Sequence, residues 1–286
     1  MAKALSRHIR AASGQHALDD GSVFPVIGID EVDRIAREMG IDGRQVEIAA
    51  LQDNILPDRY LRNRNAFSNA DQLRLLESTV GIVGLGGLGG LVTETLARMG
   101  IGCFYLIDGD VFEAHNLNRQ LLSRMDTIGV AKADAAKARI KQINPGIDVI
   151  SEAAYLTSKN AAALVTPCDI VVDCLDTIQS RFTLQTAAQN AGIPMVSAAI
   201  AGMSGHVTTI YPEDAGLETI YGPPSQLQIT KGAETLLGCL AAAVNLMASL
   251  ECAEVVKVLT GKGNTLRNCI MMVDLADYTF ERLTLS

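Results

Sequence analysis

Residues Thr79–Asp108 read T-V-G-I-V-G-L-G-G-L-G-G-L-V-T-E-T-L-A-R-M-G-I-G-C-F-Y-L-I-D. A short β-branched run, Thr79–Val83, leads into a glycine-rich turn, Gly84-Leu85-Gly86-Gly87-Leu88-Gly89. Leu88–Met99 then follows a helical pattern that Gly100 closes, and Cys103–Asp108 is a second apolar strand. Glycines let the backbone turn sharply and let amide N–H groups at the positive end of the helix approach a phosphate. Asp108 stands 24 residues after Gly84, where its carboxylate can accept ribose hydroxyls. The unit predicts a nucleotide-binding β-α-β fold. A G-K-[ST] ending is absent, so the turn is not a P-loop.

The same alternation continues outward. Ala131–Ile143 reads as a helix ending at Asn144-Pro145, and Ile147–Ser151 and Asp169–Cys174 as strands with a helix between them. Ile178–Ala191 is a helix closed by Gly192. Pro194–Ile200 and His206–Tyr211 are successive strands, the second antiparallel. After a polar loop, Pro212–Lys231, come a long helix from Ala233 to Leu259 and two closing strands, Cys269–Asp274 and Tyr278–Leu283. Near-continuous apolar strands alternating with helices imply an α/β, Rossmann-like, mostly parallel sheet covered on both faces, with antiparallel strands on the C-terminal side.

Residues 1–57 have another texture. Asp30 can cap a helix whose apolar positions Val32, Ile35, Ala36 and Met39 share one face, and a second helix runs from Asp42 to Gln52. Two helices around a tight turn suggest a helix-turn-helix, but seven acids against three arginines between Asp30 and Asn54 argue against a DNA groove. A helical N-terminal extension packing on the main domain or a partner subunit is the expectation. The whole chain of 286 residues carries a net charge of −8, with 48% hydrophobic residues and no Trp. That composition excludes disordered and fibrous classes and disfavours nucleic-acid binding. The six cysteines form no C-x-x-C pair, which predicts reduced thiols in the cytoplasm. Met1–Ser13 has no apolar signal core, and Leu236–Leu250 is too short to span a bilayer and reads as a buried helix. No membrane association is expected.

The residues after Asp108 separate ATP from a dinucleotide. They include Asp110, Asn116, Arg119 and Lys132, and Asp173-Cys174-Leu175-Asp176 ends a strand. A triphosphate needs cations and a metal, which Arg119, Lys132 and Asp176 can supply. Singly, each has a plainer explanation: Arg119 a surface cap, Lys132 a solvated face, Asp176 a helix N-cap before Arg181. Together, in this order behind a glycine loop, they favour ATP and Mg²⁺.

These segments resemble the ThiF/MoeB/HesA family, bacterial relatives of ubiquitin-activating enzymes. The matching pieces are G-L-G-G-L-G, L-I-D-G-D-V, N-L-N-R-Q, the lysine of G-V-A-K, and D-C-L-D. Arg59-Tyr60-Leu61-Arg62-Asn63 is similar to the family's R-Y-x-R-Q segment. The resemblance implies an adenylation domain over 58–286, with 1–57 as the extension. It implies a homodimer, with Arg62 reaching the ATP of the neighbouring subunit. It also implies adenylation of the C-terminal glycine of a ubiquitin-fold sulfur carrier ending in Gly-Gly, with release of pyrophosphate. The adenylate then becomes a thiocarboxylate for molybdopterin, thiamin or a related product, with a sulfur-donor protein as a further partner. The implied roles are Gly84, Gly86, Gly87 and Gly89 on phosphate and Asp108 on ribose, with Asp110 as a metal or ribose partner. Asn116, Arg119 and Lys132 would bind phosphate oxygens, and Asp176 the Mg²⁺.

Two departures from the family pattern are visible. The cysteine pairs that hold zinc in many members are missing, so no zinc is expected, and the loop cysteine that forms a thioester or persulfide is missing too. Cys239, among Leu236, Leu237, Leu240 and Ala241, is expected to be a buried core thiol. Thr177 follows Asp176 where the family usually has Asn. The competing readings are an NAD-dependent dehydrogenase, a non-catalytic relative, and an enzyme that activates a carboxylate on tRNA.

Overall fold

The computed structural model describes residues 1–19, 21–227 and 232–285. Its N-terminal part contains α1 (Ala2–Ala12), β1 (Gly14–Ala17), β2 (Val23–Ile27), α2 (Ile29–Met39), α3 (Gly43–Gln52) and β3 (Leu56–Pro57). There follow α4 (Asn69–Glu77), β4 (Thr79–Val83), α5 (Gly87–Met99), β5 (Cys103–Ile107), α6 (Lys132–Ile143) and β6 (Asp148–Glu152). Next come α7 (Ala161–Val165), β7 (Ile170–Asp173), α8 (Ile178–Ala191), β8 (Met195–Ala201) and β9 (Ser204–Ile210). The chain ends with α9 (Glu218–Tyr221), α10 (Glu234–Leu237), α11 (Ala241–Thr260), β10 (Cys269–Asp274) and β11 (Thr279–Thr284).

The large sheet has the order β11-β10-β9-β8-β7-β4-β5-β6. Strands β6, β5, β4, β7 and β8 are parallel, and β9, β10 and β11 continue antiparallel. The chain winds from β4 out to β6 and then crosses back to β7 on the other side. The β4/β7 boundary is therefore the switch point at which open α/β sheets bind ligands, beyond the C-terminal strand ends.

Each strand feeds both layers because its side chains alternate. Val80, Ile82, Phe104, Leu106 and Val172 join one core with α5, α6 and α11. Val83, Ile107 and Val171 join a second core with α7 and α8. Among the described residues no helix is long and apolar enough to cross a membrane.

Four expectations need correction. The N-terminal part holds a third helix and a three-stranded sheet, β1-β2-β3, besides the two helices read from sequence. Pro25 lies inside β2 opposite Gln15, and β3 is two residues long, so neither gives the alternation of a strand. Gly28, not Asp30, occupies the N-cap of α2, and Asp30 falls in its first turn. The long helix from Ala233 is broken: Gly238 takes φ +70°, and α11 begins afresh at Ala241. Leu236 is consequently 91% exposed and Leu237 and Leu240 are exposed, so Cys239 is half-buried between them rather than in a core.

The N-terminal part is tied to the rest of the chain by a buried polar cluster and by an ion pair to the sheet edge. The Arg59 guanidinium lies 2.6 Å from buried Glu47, and the Tyr60 hydroxyl donates to Glu47 at 3.1 Å. Arg44 pairs with Asp148 of β6, and Leu51, Leu56, Tyr60 and Leu76 pack together beneath.

Candidate active site

The loop after β4 is compressed against the loop after β7. Gly84 has φ +88°, and a Cβ there would stand 2.5 Å from the Cys174 carbonyl oxygen. A Cβ at Gly89 would stand 1.8 Å from the Gly84 carbonyl oxygen. These two positions require glycine; Gly86, the N-cap of α5, and Gly87 have more room. Among the described residues no side chain caps α5, which leaves the N–H groups of its first turn for a ligand at the switch point.

Asp108 closes β5 and is 9% exposed. Its Oδ2 accepts from the Leu85 N–H at 2.6 Å and its Oδ1 from the Asp110 N–H at 2.7 Å. The carboxylate thus fastens the glycine loop while each oxygen keeps a lone pair for a ribose hydroxyl. Burial pushes its pKa above the usual range, against those two bonds and the Lys132 charge.

Lys132 is 7% exposed and donates from Nζ to Asp110 Oδ2 at 2.9 Å, which excludes the solvated-face explanation. The Tyr155 hydroxyl donates to Asp110 Oδ1 at 2.6 Å, and its ring lies across Gly109. Burial works to raise the Asp110 pKa, but the Tyr155 and Lys132 contacts outweigh it and hold the carboxyl below its usual range. Tyr155 was not singled out from sequence, because it lies in an irregular stretch after β6 that carries no pattern.

The N-L-N-R-Q segment covers the start of α5. Asn116 is buried, and its Oδ1 accepts from the Glu113 N–H at 3.0 Å, which leaves the amide nitrogen for a ligand. Arg119 Nη1 donates to the His115 carbonyl at 2.9 Å and to Asn118 Oδ1 at 2.8 Å, so it does cap a turn as its plainer explanation held. Gln120, which had no assigned role, packs against Gly86 with its Oε1 buried and without a partner among the described residues.

Within D-C-L-D the two aspartates have separate duties. Asp173 is fully buried and accepts from Ser197 Oγ at 2.6 Å, Arg181 Nη1 at 2.9 Å and the Leu175 N–H at 3.1 Å. Asp176 is exposed. Thr177 is the N-cap of α8, its Oγ1 accepting from the Ser180 N–H at 3.3 Å, so Asp176 does not cap that helix. Mg²⁺ is commonly held by one or two carboxylates plus substrate phosphates, and a single exposed Asp176 at the switch point fits that pattern. No group of three or more His, Cys, Asp or Glu that could hold a metal ion occurs among the described residues. Arg62 is exposed and makes no hydrogen bond or ion pair among the described residues.

Behind the loop, Glu251 of α11 is fully buried. Its Oε1 accepts from Cys174 Sγ at 3.9 Å and its Oε2 has no partner among the described residues. Burial, followed by the Asp173 charge, drives its pKa well above the usual carboxylate range. The folded state therefore holds a proton that the unfolded chain releases above about pH 4.3. Stability from this group falls as pH rises from there toward the folded pKa. Glu251→Gln is expected to stabilise the protein, with a gain that grows between pH 5 and 8 in urea unfolding; a pH-independent difference would refute a buried protonated acid.

Asp176 also borders a cavity of about 220 Å³ lined by Ala199, His206, Tyr221 and Met272, with Arg181 beneath. Burial, then the Arg181 charge, pushes the His206 pKa down to about 4, so the ring is neutral near pH 7. His206 Nε2 and the Tyr221 hydroxyl are hydrogen-bonded at 3.3 Å.

Residues 60–286 match the model of the ThiF family. The chain is 31% identical over 226 residues to the SAMP-activating enzyme E1 of Haloferax volcanii, covering 78% of this chain and 83% of that one. It is 34% identical over 216 residues to the molybdopterin-synthase adenylyltransferase of Escherichia coli, covering 75% and 86%. It spans about half the length of several longer relatives that it also matches. Among solved structures, E. coli MccB with succinimide superposes at a TM-score of 0.68 and 21% identity, covering 90% of this chain and 79% of that one. That likeness speaks to fold alone.

Proposed function

The chain belongs to the ThiF family, and from that membership we propose that it adenylates the C-terminal glycine of a small ubiquitin-fold sulfur carrier with ATP, releasing pyrophosphate. One observation carries the reading. A buried lysine held by Asp110, an aspartate fastened to the glycine loop and an exposed aspartate relieved of helix capping support it, beside a helix N-terminus with no side-chain cap among the described residues.

The carrier's terminal carboxylate attacks the α-phosphorus, so this step needs no protein nucleophile or general base. Catalysis consists of positioning and of neutralising charge on the phosphorus and on the leaving pyrophosphate. The loop Gly84–Gly89 and the first turn of α5 take phosphate oxygens, and Asp108 takes the ribose. Lys132, held straight by Asp110, meets the phosphates together with Arg119 and the Asn116 amide. Asp176 would hold Mg²⁺, which when bound would supply further positive charge against the triphosphate. The chain acts as a homodimer in which Arg62 of the partner subunit completes the site. Support comes from exposed Arg62 and from the exposed apolar residues Leu117, Leu121, Met125 and Ile128 around the Arg119 segment. Residues 58–286 carry the reaction, and residues 1–57 form a docking or dimer-covering arm. The reading implies a cytoplasmic enzyme without zinc that works beside a sulfur-donor protein.

Carrier-dependent exchange of labelled pyrophosphate into ATP tests the reaction. Exchange with a Gly-Gly-ending carrier is the expected result, and its absence with every such carrier of the same cell would sink the proposal. Mixing Arg62→Ala with Lys132→Ala subunits tests the dimer. Mixed dimers contain one site with both cations, so exchange should recover toward half of the wild-type value. No recovery in demonstrated heterodimers would remove Arg62 from the neighbouring site.

A further inference from the structure

The cavity beside Asp176 has a size and a polarity that the adenylation chemistry leaves unused. Its floor is a cross-strand row. In the sheet register Ala199 of β8 and Met272 of β10 both stand opposite His206 of β9. Residues directly opposite in neighbouring strands present their side chains on the same face. One position along β9, Gly205 faces the other way, where a Cβ would meet Met247 of α11 at 2.7 Å. The sheet here is therefore two-sided: α11 packs one face, and the Ala199–His206–Met272 row looks toward Tyr221 and the cavity.

At about 220 Å³ the cavity is too small for a nucleotide, since drug-sized ligands occupy pockets of roughly 300–1,000 Å³. It is much larger than a water molecule's share of about 30 Å³, and a space of about 150 Å³ already accepts a benzene ring. Two terminal glycines have no side chain to fill it. Charge narrows the occupant further. Arg181 spends Nη1 on Asp173 and the Ala198 carbonyl and one N–H of Nη2 on the Leu175 carbonyl, so its charge is already matched by buried Asp173 rather than held for an incoming acid. The charge of Arg181 beneath the floor also disfavours a second cation, as it does on His206. Asp176 at the border disfavours an anion.

We propose, resting on the adenylation reading, that this cavity is a specificity pocket for one large uncharged side chain, leucine- to phenylalanine-sized, among the carrier residues just before the terminal glycine pair. Ala199, His206 and Met272 set its depth, and Tyr221 closes its side. The pocket holds the side chain so that the glycine carboxylate lies outside the cavity, directed toward the glycine loop and the phosphate-binding cations. It discriminates between carriers that share the Gly-Gly ending.

The test uses the full-length protein and synthetic tail peptides ending in Gly-Gly with a free carboxylate. Leu, Phe, Ala, Asp or Lys is placed in turn at each of the three positions before the pair, and binding is measured by calorimetry. At one position Leu or Phe should bind at least about 10-fold more tightly than Ala, the discrimination that a few methylenes support. Asp and Lys should bind no better than Ala. Ala199→Leu fills the cavity and should erase the preference; Met272→Ala, at a half-exposed site on another strand, should enlarge it and shift the preference from Leu toward Phe. Equal binding of all peptides overturns the pocket, as does a preference that neither variant changes. Pyrophosphate exchange with carriers bearing the same tails separates the two proposals. Peptide preference without exchange would refute adenylation and leave the pocket standing, whereas exchange indifferent to the tail residue would refute the pocket and leave adenylation standing.

Discussion

Arg181→Met is expected to lower folding stability by about 3–5 kcal/mol, the range found when one partner of a buried ion pair is removed. Asp173 has no solvent exposure, and Arg181 supplies its compensating charge at 2.9 Å. Methionine keeps much of the volume but leaves that carboxylate uncompensated in the middle of the sheet. The same arginine donates to the carbonyls of Ala198 and Leu175 at 2.7 and 2.5 Å, so β8 and the loop carrying Asp176 loosen together. In urea the midpoint should fall while the slope stays constant. Adding Asp173→Asn to Arg181→Met should restore part of the loss, because the stranded charge is then gone. A double variant no more stable than the single one would show that buried charge is not the cause.

Lys132→Ala is expected to reduce kcat/KM for carrier-dependent exchange by about 10²–10³-fold, the effect of losing one preorganised donor to a developing oxyanion. The ammonium is buried, its stem is fixed at the start of α6, and Asp110 holds it, so little reorganisation is required when the phosphates arrive. Asp110→Asn should lose less, since Lys132 keeps its burial and its own charge. Circular dichroism should report the same fold for all three proteins. Exchange in Lys132→Ala within a few-fold of wild type would remove the lysine from the phosphate site.

The parallel part of the fold was legible because its signals are local. Val80, Ile82, Phe104 and Leu106 sit in short apolar runs bounded by glycine or aspartate, and Gly84 and Gly89 stand where a Cβ would collide with backbone. The N-terminal sheet was not legible, because β1 is largely exposed and Pro25 interrupts β2. The break at Gly238 was missed because apolar residues continue on both sides of it and conceal a positive φ. The candidate-site side chains stand in ordered motifs that a sequence displays, and the residues that support them do not. Tyr155 on Asp110, Thr177 relieving Asp176 and Glu251 behind Cys174 each depend on contacts that no short-range pattern reports. The His206 row needed the register of three strands, two of them separated by some sixty residues of sequence.

The strand order has a consequence for how the chain comes off the ribosome. β4 (Thr79–Val83) ends up mid-sheet between β5 and β7, yet β7 (Ile170–Asp173) is translated some ninety residues later. At about 5–20 residues per second, that edge of β4 waits roughly 5–20 s for its neighbour. During the wait Val80 and Ile82 lie in a strand with unpaired N–H and C=O groups along one side, a template for pairing with any other nascent chain. α5 emerges directly after β4 and can cover one face of it, but a helix on a face does not occupy an edge. A strand flanked on both edges in the finished enzyme is thus open to mispairing while it is made, and slowing translation between β5 and β7 lengthens that exposure.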